Sequence, residues 1–323
     1  MLIISEDLAK QLVSVEAAIA ALEHTFAAMA TGQAYNYPVV REVLGYQDAV
    51  FGVKTGADVS VPLLGLKAGG FWPHNLKKGL TNHQSSTLLF DPETGRASAL
   101  VSANYLTGIR TGAASAIATK HLARPDATDL GVIGTGGQSA YQLRATLEVR
   151  GIRRVHAWDQ SADNLARFGT LVAELGLDYV PAETPEQVAR AADVLITVTP
   201  SQKAMVEKNW VRPGTHINAM GADTKGKQEL DPALVASAAI FVDEAAQAIT
   251  IGECQHAFAS GLITAEDIRG SIGAVIAGLS DGRRSDAEIT LFDGTGVSLQ
   301  DLVVAHLAVA AAEARQLGTR VDY

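Results

Sequence analysis

Short apolar runs alternate with helical segments along the second half of the chain, and this pattern most constrains the fold. The runs cover residues 130–133, 155–158, 194–198, 217–220 and 240–242. Each has the length of one buried strand, and most of the segments between them carry apolar residues at helical spacing. Strands that alternate with helices form a parallel sheet covered on both faces. The sequence therefore predicts an α/β fold with a doubly wound parallel sheet.

The first part of the chain has a different pattern, which indicates a second domain. Apolar residues at helical spacing predict a helix over 15–29, with Ser14 as its N-cap. Residues 86–90 and 97–101 are typical of two strands, and the Pro and Gly of residues 91–95 supply the backbone angles of a hairpin turn. A helix and a hairpin ahead of the alternating region indicate an α+β domain.

A break in the helical pattern of residues 103–122 marks the predicted domain boundary. Arg124-Pro125-Asp126 follows that pattern, and proline does not continue a helix. We therefore expect residues 1–123 to form the first domain and residues 124–297 the second. We expect the Ala-rich helix of residues 298–323 to complete the first domain. The length of 323 residues exceeds the size at which a single core usually stops growing, which favours two domains.

Composition and charge exclude several classes of protein. Hydrophobic residues make up 47% of the chain and charged residues 19%, which is typical of globular proteins. The formal net charge of −9 argues against nucleic acid as a partner, because that binding needs a basic surface. The single cysteine, Cys254, excludes an intrachain disulfide, and Glu6 and Asp7 stand where a signal peptide would be basic. We therefore expect a cytoplasmic protein with no membrane partner.

A glycine-rich turn follows the first predicted strand of the α/β region. Leu130–Ile133 leads into Gly134-Thr135-Gly136-Gly137-Gln138-Ser139, and an amphipathic segment comes next. Gly134 permits a tight turn, Gly136 lets the backbone approach a pyrophosphate, and Ser139 is small enough for helix and strand to pack closely. Strand, turn and helix in this order predict a Rossmann-type dinucleotide site that also includes Thr135, Gly137 and Gln138. An ordinary loop with glycines is the alternative.

An acid at the end of the next predicted strand supports the dinucleotide interpretation. Asp159 lies about 25 residues beyond the start of the turn, near the expected place of an acid that holds the ribose hydroxyls. An acid there repels a 2′-phosphate, so NAD(H) is the favoured cofactor, although Arg153 and Arg154 keep NADP open. A helix cap is the alternative role of Asp159. Thr199-Pro200-Ser201 ends a later strand and is expected to line the cofactor.

Cations among small and apolar residues are the candidates for binding a substrate carboxylate. Arg110 lies inside an apolar helical pattern, which makes it the strongest candidate. Arg41 and Lys67 are further candidates, with solvated surface positions as the alternative. Asp223 follows the predicted strand 217–220 and suits a proton donor, or else an ordinary turn residue. Hydride transfer to a polarised carbon needs a cofactor, cations that bind the substrate carboxylate, and a proton donor.

Several spaced motifs together resemble the ornithine cyclodeaminase/mu-crystallin family over nearly the whole chain. They are Leu66-Lys67, Gly79-Leu80-Thr81-Asn82-His83-Gln84, Asp91-Pro92-Glu93-Thr94-Gly95, Leu106-Thr107-Gly108-Ile109-Arg110-Thr111-Gly112-Ala113-Ala114, Gly134-Thr135-Gly136-Gly137-Gln138-Ser139 and Gly221-Ala222-Asp223. The resemblance implies a nucleotide domain joined to a substrate and dimerisation domain, and we expect a homodimer. It implies carboxylate binding by Arg41, Lys67 and Arg110, and proton transfer by Asp223 or Lys67. We extend the expected cofactor site to Thr111, Asn218, Met220 and Gly221.

The resemblance also implies the activity, an NADH-dependent reduction of an imino acid. Cyclodeaminases of the family carry an acid at the place where this chain has Lys54. A further cation suits a second carboxylate, so we favour a dicarboxylic imine such as iminosuccinate, reduced to aspartate. Ornithine cyclodeamination, alanine dehydrogenation and a non-catalytic, ligand-binding role like that of mu-crystallin are the alternatives. The histidines show no metal-ligand spacing, so no metal is expected.

Overall fold

The computed structural model describes residues 1–322 and separates them into two compact units. The first unit combines Met1–Arg110 with the chain from Val297 onward, and the second comprises Thr111–Gly296. The sequence predicts a boundary at residues 123 and 124, whereas the units divide earlier, inside a helix. Because the start and the end of that helix pack in different units, a break in the helical pattern does not mark the change from one unit to the other.

Residues 1–322 contain eighteen strands, which alternate with helices mainly in the second unit. The strands are β1 (Leu2–Ile4), β2 (Ala34–Asn36), β3 (Val40–Val43), β4 (Val50–Asp58), β5 (Leu63–Phe71), β6 (His83–Phe90), β7 (Ala97–Ser102), β8 (Asp129–Ile133), β9 (Arg154–Trp158), β10 (Asp178–Pro181), β11 (Val194–Thr197), β12 (Gln202–Val206), β13 (His216–Ala219), β14 (Gln228–Leu230), β15 (Ala239–Val242), β16 (Ile268–Ser271), β17 (Thr290–Asp293) and β18 (Thr319–Arg320).

The helices fall between these strands. They are α1 (Glu6–Leu12), α2 (Val15–Ala30), α3 (Asn104–Leu122), α4 (Ser139–Val149), α5 (Ala162–Glu174), α6 (Pro185–Ala191), α7 (Pro232–Ser237), α8 (Ala245–Ala248), α9 (Gln255–Ala259), α10 (Ile272–Ile276) and α11 (Ser298–Ala314). Short 3₁₀ helices comprise Asn75–Lys78, Lys208–Trp210 and Ala265–Asp267. Within residues 1–322 no single helix has the length and apolar character to cross a membrane; α1 and α2, bent by 83°, meet that test only as a pair.

The first unit is built on one mixed sheet with the strand order β18-β1-β7-β6-β5-β4-β2, and β3 pairs with the first half of β4. Strands β4 to β7 form an antiparallel meander, in which β6 and β7 are the predicted hairpin. The register of β4 and β5 places Lys54 directly opposite Lys67. Because directly opposite residues project from the same face of a sheet, the two lysines share one face.

Helix α11 covers that same face of the sheet. A Cβ at Gly56 would lie 2.6 Å from the Ser298 Oγ, and one at Gly65 would lie 3.0 Å from the Leu302 Cδ2. These glycines share the face of the two lysines, because residues two apart along a strand point the same way. The absence of side chains at both positions lets the first turns of α11 lie close against β4 and β5.

Helix α2 packs beside α11 and confirms the helix predicted over 15–29, although the shorter helix α1, which was not predicted, precedes it. It begins after Ser14, whose Oγ accepts a hydrogen bond from the Ala17 N–H at 3.2 Å, as an N-cap does. The apolar face is buried through Ile19, Leu22 and Phe26. The helical spacing of these residues therefore identified the face that packs into the core.

The second unit contains the predicted doubly wound sheet, and the α/β fold class is confirmed. Its main sheet is parallel throughout, with the strand order β10-β9-β8-β11-β13-β17-β15-β16, and β12 and β14 form a separate parallel pair. The predicted strands correspond to β8, β9, β11, β13 and β15 to within one residue at each end. The strand order reverses between β8 and β11, and ligands of such sheets bind outside the carboxyl ends of the strands at this switch point.

Candidate functional site

The glycine turn, residues 134–138, follows β8 at the switch point. Gly134 has a φ of +97°, and its N–H donates to the Trp158 carbonyl at 2.9 Å. A Cβ on Gly134 would lie 2.7 Å from the Thr199 Cγ2, so both its conformation and its surroundings require glycine. Helix α4 starts immediately afterwards at Ser139, whose Oγ donates to the Gly136 carbonyl at 2.8 Å. The turn is therefore held in place by its own chain.

Unlike Gly134, neither Gly136 nor Gly137 is required to be glycine by its backbone angles or by close packing. Neither has a positive φ, and a Cβ at either position would meet no atom within 4 Å. Both face open space next to the N-terminus of α4, where backbone N–H groups and the helix dipole favour a bound anion. The open space and the bare backbone provide the close approach that a pyrophosphate group needs.

Asp159 contacts the glycine turn directly. Its Oδ2 accepts hydrogen bonds from the Thr135 N–H at 2.6 Å and from the Thr135 Oγ at 3.1 Å, while its Oδ1 accepts from the Ser161 N–H at 2.8 Å. Ser161, rather than Asp159, is the N-cap of α5, since its side chain accepts from the Asn164 N–H. Asp159 thus fixes the turn, and its role toward a ribose stays a prediction.

The other predicted cofactor residues lie at the ends of the adjacent strands β11 and β13 or on α3. Asn218 differs from the rest, because its buried side chain donates to the Thr119 Oγ at 2.9 Å and contacts the His216 Nε2 at 3.2 Å. The nitrogen and the oxygen of that amide therefore both form hydrogen bonds inside the second unit. Thr111 is also buried. The remaining positions are Thr199, Pro200, Ser201, Met220 and Gly221, which follow the two strands.

Lys67 and Arg110, predicted separately, meet at one buried acid in the first unit. Asp301 Oδ1, on the first turn of α11, accepts from the Lys67 Nζ at 2.9 Å and from the Arg110 Nε at 3.0 Å. Arg110 Nη1 also donates to the Gln300 Oε1 at 2.8 Å, and Lys67 Nζ lies 3.4 Å from the Thr107 Oγ. We call Lys54, Lys67, Arg110 and Asp301 the cation cluster.

Burial and neighbouring charges set the protonation of the cation cluster. Burial lowers the pKa of Lys67 to about 7; Asp301 opposes this shift, and Arg110 and Lys54 add to it. Burial alone would raise the pKa of Asp301, but Arg110, Lys67 and Lys54 together hold that pKa at about 2. Asp301 is therefore ionised at neutral pH, whereas Lys67 titrates near neutrality.

The two other predicted carboxylate-binding residues lie on neighbouring strands. Lys54 is half-buried opposite Lys67 and acts electrostatically on both Lys67 and Asp301. Arg41 lies on β3, all four residues of which are exposed, in register with Gly52. The structure thus brings Lys54, Lys67 and Arg110 together and leaves Arg41 on an exposed strand.

Asp223 lies in the loop after β13, in the second unit. Its Oδ1 accepts from the Lys227 Nζ at 2.6 Å and from the Thr224 Oγ at 3.1 Å. Lys227 Nζ also donates to the Gly221 carbonyl at 3.1 Å, so one ammonium group bonds to both Gly221 and Asp223 within the loop. The Asp223 side chain is 36% exposed, which leaves its carboxyl group accessible to a substrate.

Sequence reasoning missed Asp301, Gln300 and the role of Lys227. Asp301 and Gln300 stand in an Ala-rich helix that otherwise contributes apolar packing. A charge among small and apolar residues was the signal that identified Arg110, and the same signal was present at Asp301. Lys227 had no such signal, because it lies in a polar loop.

The chain matches known proteins over its whole length. A model of the ornithine cyclodeaminase/mu-crystallin family matches residues 1–315. The iminosuccinate reductase of Paracoccus denitrificans is 51% identical over 322 residues, covering 100% of both chains. The crystal structure of the Paracoccus denitrificans enzyme in complex with NAD⁺ has a TM-score of 0.95 at 50% identity, covering 100% of this chain and 99% of that chain.

Two further solved structures share the architecture. The Δ1-pyrroline-2-carboxylate reductase of Thermococcus litoralis, in complex with NADH and L-proline, has a TM-score of 0.96 at 31% identity, covering 99% of this chain and 100% of that one. An archaeal alanine dehydrogenase, a dimer with bound NAD, has a TM-score of 0.95 at 38% identity. The match covers 100% of this chain and 99% of that chain. These relatives are oxidoreductases that bind the same nicotinamide cofactor.

Proposed function

The chain belongs to the ornithine cyclodeaminase/mu-crystallin family, and from this premise we propose that it is an NADH-dependent imino-acid reductase that converts iminosuccinate to aspartate. The observation that carries the choice of substrate is the charge of the cation cluster. Among its four residues, three cations face the single acid Asp301, which leaves two positive charges in excess while Lys67 is protonated. Two carboxylates of one substrate would neutralise this excess.

NADH fits the second unit through the glycine turn. Gly136 and Gly137 leave open space beside the N-terminus of α4, and Asp159 fixes the turn through Thr135. This space and the helix terminus suit the pyrophosphate, in agreement with the NAD-bound relatives. When bound, NADH supplies the hydride that the imine carbon receives.

The side chains of this chain supply binding and the proton. In this proposal Arg110 and Lys67 bind the carboxylate next to the imine, and Lys54 binds the second carboxylate. Asp223 takes up a proton and gives it to the imine nitrogen as the carbon accepts the hydride, which completes the amine. Asp223 is left as the carboxylate that accepts from the Lys227 Nζ. Cations that hold a substrate in a reactive orientation lower the entropic part of the barrier.

The test measures loss of NADH absorbance with four substrates. Oxaloacetate, pyruvate and glyoxylate are each supplied with ammonium, and Δ1-pyrroline-2-carboxylate is supplied alone. We expect kcat/KM for oxaloacetate with ammonium to exceed the others by about tenfold or more, since one charge-assisted hydrogen bond contributes about 1.5–3 kcal/mol. The reaction must be absent without ammonium. Turnover confined to pyruvate or the cyclic imine would reject the dicarboxylic substrate, and no turnover with any of the four would reject the reductase.

Lys54→Met tests the dicarboxylate preference within the same panel. The substitution removes one charge and keeps an unbranched side chain, so we expect KM for iminosuccinate to rise about tenfold or more. KM for Δ1-pyrroline-2-carboxylate, which has one carboxylate, should change little. Lys78→Met, at an exposed lysine of the same unit, is the matched control. Equal losses on the two substrates would assign Lys54 to another role.

The pKa of Lys67 predicts how the rate depends on pH. Because burial brings that pKa to about 7, the ammonium form that binds a carboxylate is present below pH 7 and is lost above it. We expect kcat/KM to fall as pH rises through about 7, approaching tenfold for each pH unit. Lys54 lowers the pKa of Lys67, so Lys54→Met should move this fall to higher pH. The wild type and Lys54→Met are compared on the same substrate, because any titration of the substrate then affects both pH profiles equally.

We also propose a homodimer that acts in the cytoplasm. Apolar side chains of the first unit are exposed around β3, β4 and β5, including Val43 at 75% and Tyr46 at 71%. An exposed apolar patch of this kind marks an interaction surface, and the archaeal alanine dehydrogenase is a dimer. Light scattering that gave the mass of one chain would reject the dimer.

A further inference from the structure

Glu229 is a fully buried acid with no part in the proposed chemistry. It lies on the short strand β14, and its exposed fraction is 0%. Its carboxylate accepts four hydrogen bonds. Oε1 accepts from the Thr199 N–H at 2.6 Å and the Thr199 Oγ at 2.8 Å, while Oε2 accepts from the Thr197 Oγ at 2.8 Å and the Gly221 N–H at 2.9 Å. All lone-pair positions of a carboxylate are thereby used.

The four donors belong to the ends of two neighbouring strands. Thr197 is the last residue of β11 and Thr199 follows that strand, while Gly221 follows β13, which pairs with β11 in parallel. A Cβ on Gly221 would lie 2.4 Å from the Thr199 carbonyl oxygen and 2.5 Å from the Glu229 Cδ. The two strand ends and the carboxylate are therefore packed without room for a side chain at position 221, and the carboxylate joins one strand end to the other.

A second buried acid, Glu253, holds the strand on which Glu229 lies. Its carboxylate accepts from the Glu229 N–H at 2.9 Å and from the Leu230 N–H at 2.7 Å. Burial raises the pKa of both acids, and the charge of Glu229 raises the pKa of Glu253 further. The four donors to Glu229 oppose this rise in its own pKa. The two backbone N–H groups among these donors, those of Thr199 and Gly221, need an acceptor on each oxygen of Glu229.

We propose that Glu229 is a positioning residue for the nicotinamide cofactor. It holds the ends of β11 and β13, which carry the cofactor-lining residues predicted at 199–201 and 220–221, in one fixed arrangement. It acts through those backbone segments and has no contact with the cofactor or the substrate. This inference rests on the proposed NADH-dependent function, because the fixed arrangement of the two strand ends matters for activity only if the cofactor binds there.

Glu229→Gln tests the proposal because it removes a single acceptor. The amide keeps the size of the side chain but replaces one oxygen by an NH2 group, which faces a backbone N–H of Thr199 or Gly221 and cannot accept from it. We expect the Kd of NADH, measured by fluorescence titration, to rise about tenfold. KM for the imine at saturating NADH should stay unchanged. Glu207→Gln, at an exposed acid of the same unit, is the matched control and should bind NADH as the wild type does.

A merely structural role would give a different result. It would lower the melting temperature and the active fraction while leaving the Kd of NADH for the folded protein unchanged, and that outcome would overturn the proposal. If Glu229→Gln does not fold, Thr197→Val removes one of the four donors at nearly constant volume. It should raise the Kd of NADH about twofold or more, and an unchanged Kd would again overturn the proposal. Wild-type protein that fails to bind NADH would instead reject the proposed function itself.

Discussion

Asp223→Asn is expected to lower kcat for imine reduction by about a hundred- to ten-thousandfold while leaving the Kd of NADH unchanged. An amide cannot deliver a proton as a carboxylic acid does, and that step is the role we propose for Asp223. The geometry should survive, because the amide oxygen can still accept the hydrogen bond from the Lys227 Nζ. The loss should therefore fall on the chemical step and leave binding intact.

Single-turnover kinetics at saturating NADH and imine measure that loss directly, and fluorescence titration measures the affinity for NADH. Asp231→Asn is the matched control in the same unit. Asp231 caps α7 by accepting from the Ala233 N–H, and asparagine caps a helix about as well. Asp223→Asn with the same single-turnover rate as this control would remove Asp223 from proton transfer, and a raised Kd for NADH would indicate a binding role instead.

The α/β core of the second unit was predictable because its signals are local. Buried parallel strands appear as apolar runs, and β8, β9, β11, β13 and β15 were found in this way. Strand β10 was missed, since it is a partly exposed strand beside β9 with a mixed pattern. Strand β17 was missed although it is buried, because only the short helix α10 and a long irregular segment precede it.

The cation cluster was only partly predictable, because its contacts are distant in sequence. Helical periodicity placed Arg110 inside an apolar helix, but nothing local indicates which residue faces it. The pairing of Lys54 with Lys67 depends on the register of β4 and β5, which the whole sheet determines. Asp301 reaches Lys67 across 234 residues of sequence, through a helix that returns to the first unit. Only the packing of α11 on the sheet brings these charges together.

Asp301→Asn is expected to lower the free energy of unfolding by about 3–5 kcal/mol, the cost of removing one partner from a buried ion pair. The substitution keeps the shape but leaves Lys67 and Arg110 close together without a negative charge between them. The Asp301 pKa of about 2 lies below the ordinary 3.8, so its charge stabilises the fold above pH 3.8, and that contribution is lost as pH falls toward 2. The variant lacks this contribution at every pH.

The pH dependence of this loss separates the two ion pairs of Asp301. Lys67 is charged below its pKa of about 7 and neutral above it, whereas Arg110 stays charged. The loss measured by urea unfolding should therefore be larger at about pH 6, where the wild type has both ion pairs of Asp301, than at about pH 9, where it has only the pair with Arg110. Asp7→Asn is the control, because Asp7 forms an exposed pair with Lys10 that is expected to contribute no more than about 1 kcal/mol. A loss no larger than that of the control, at both pH values, would show that Asp301 does not stabilise the cation cluster.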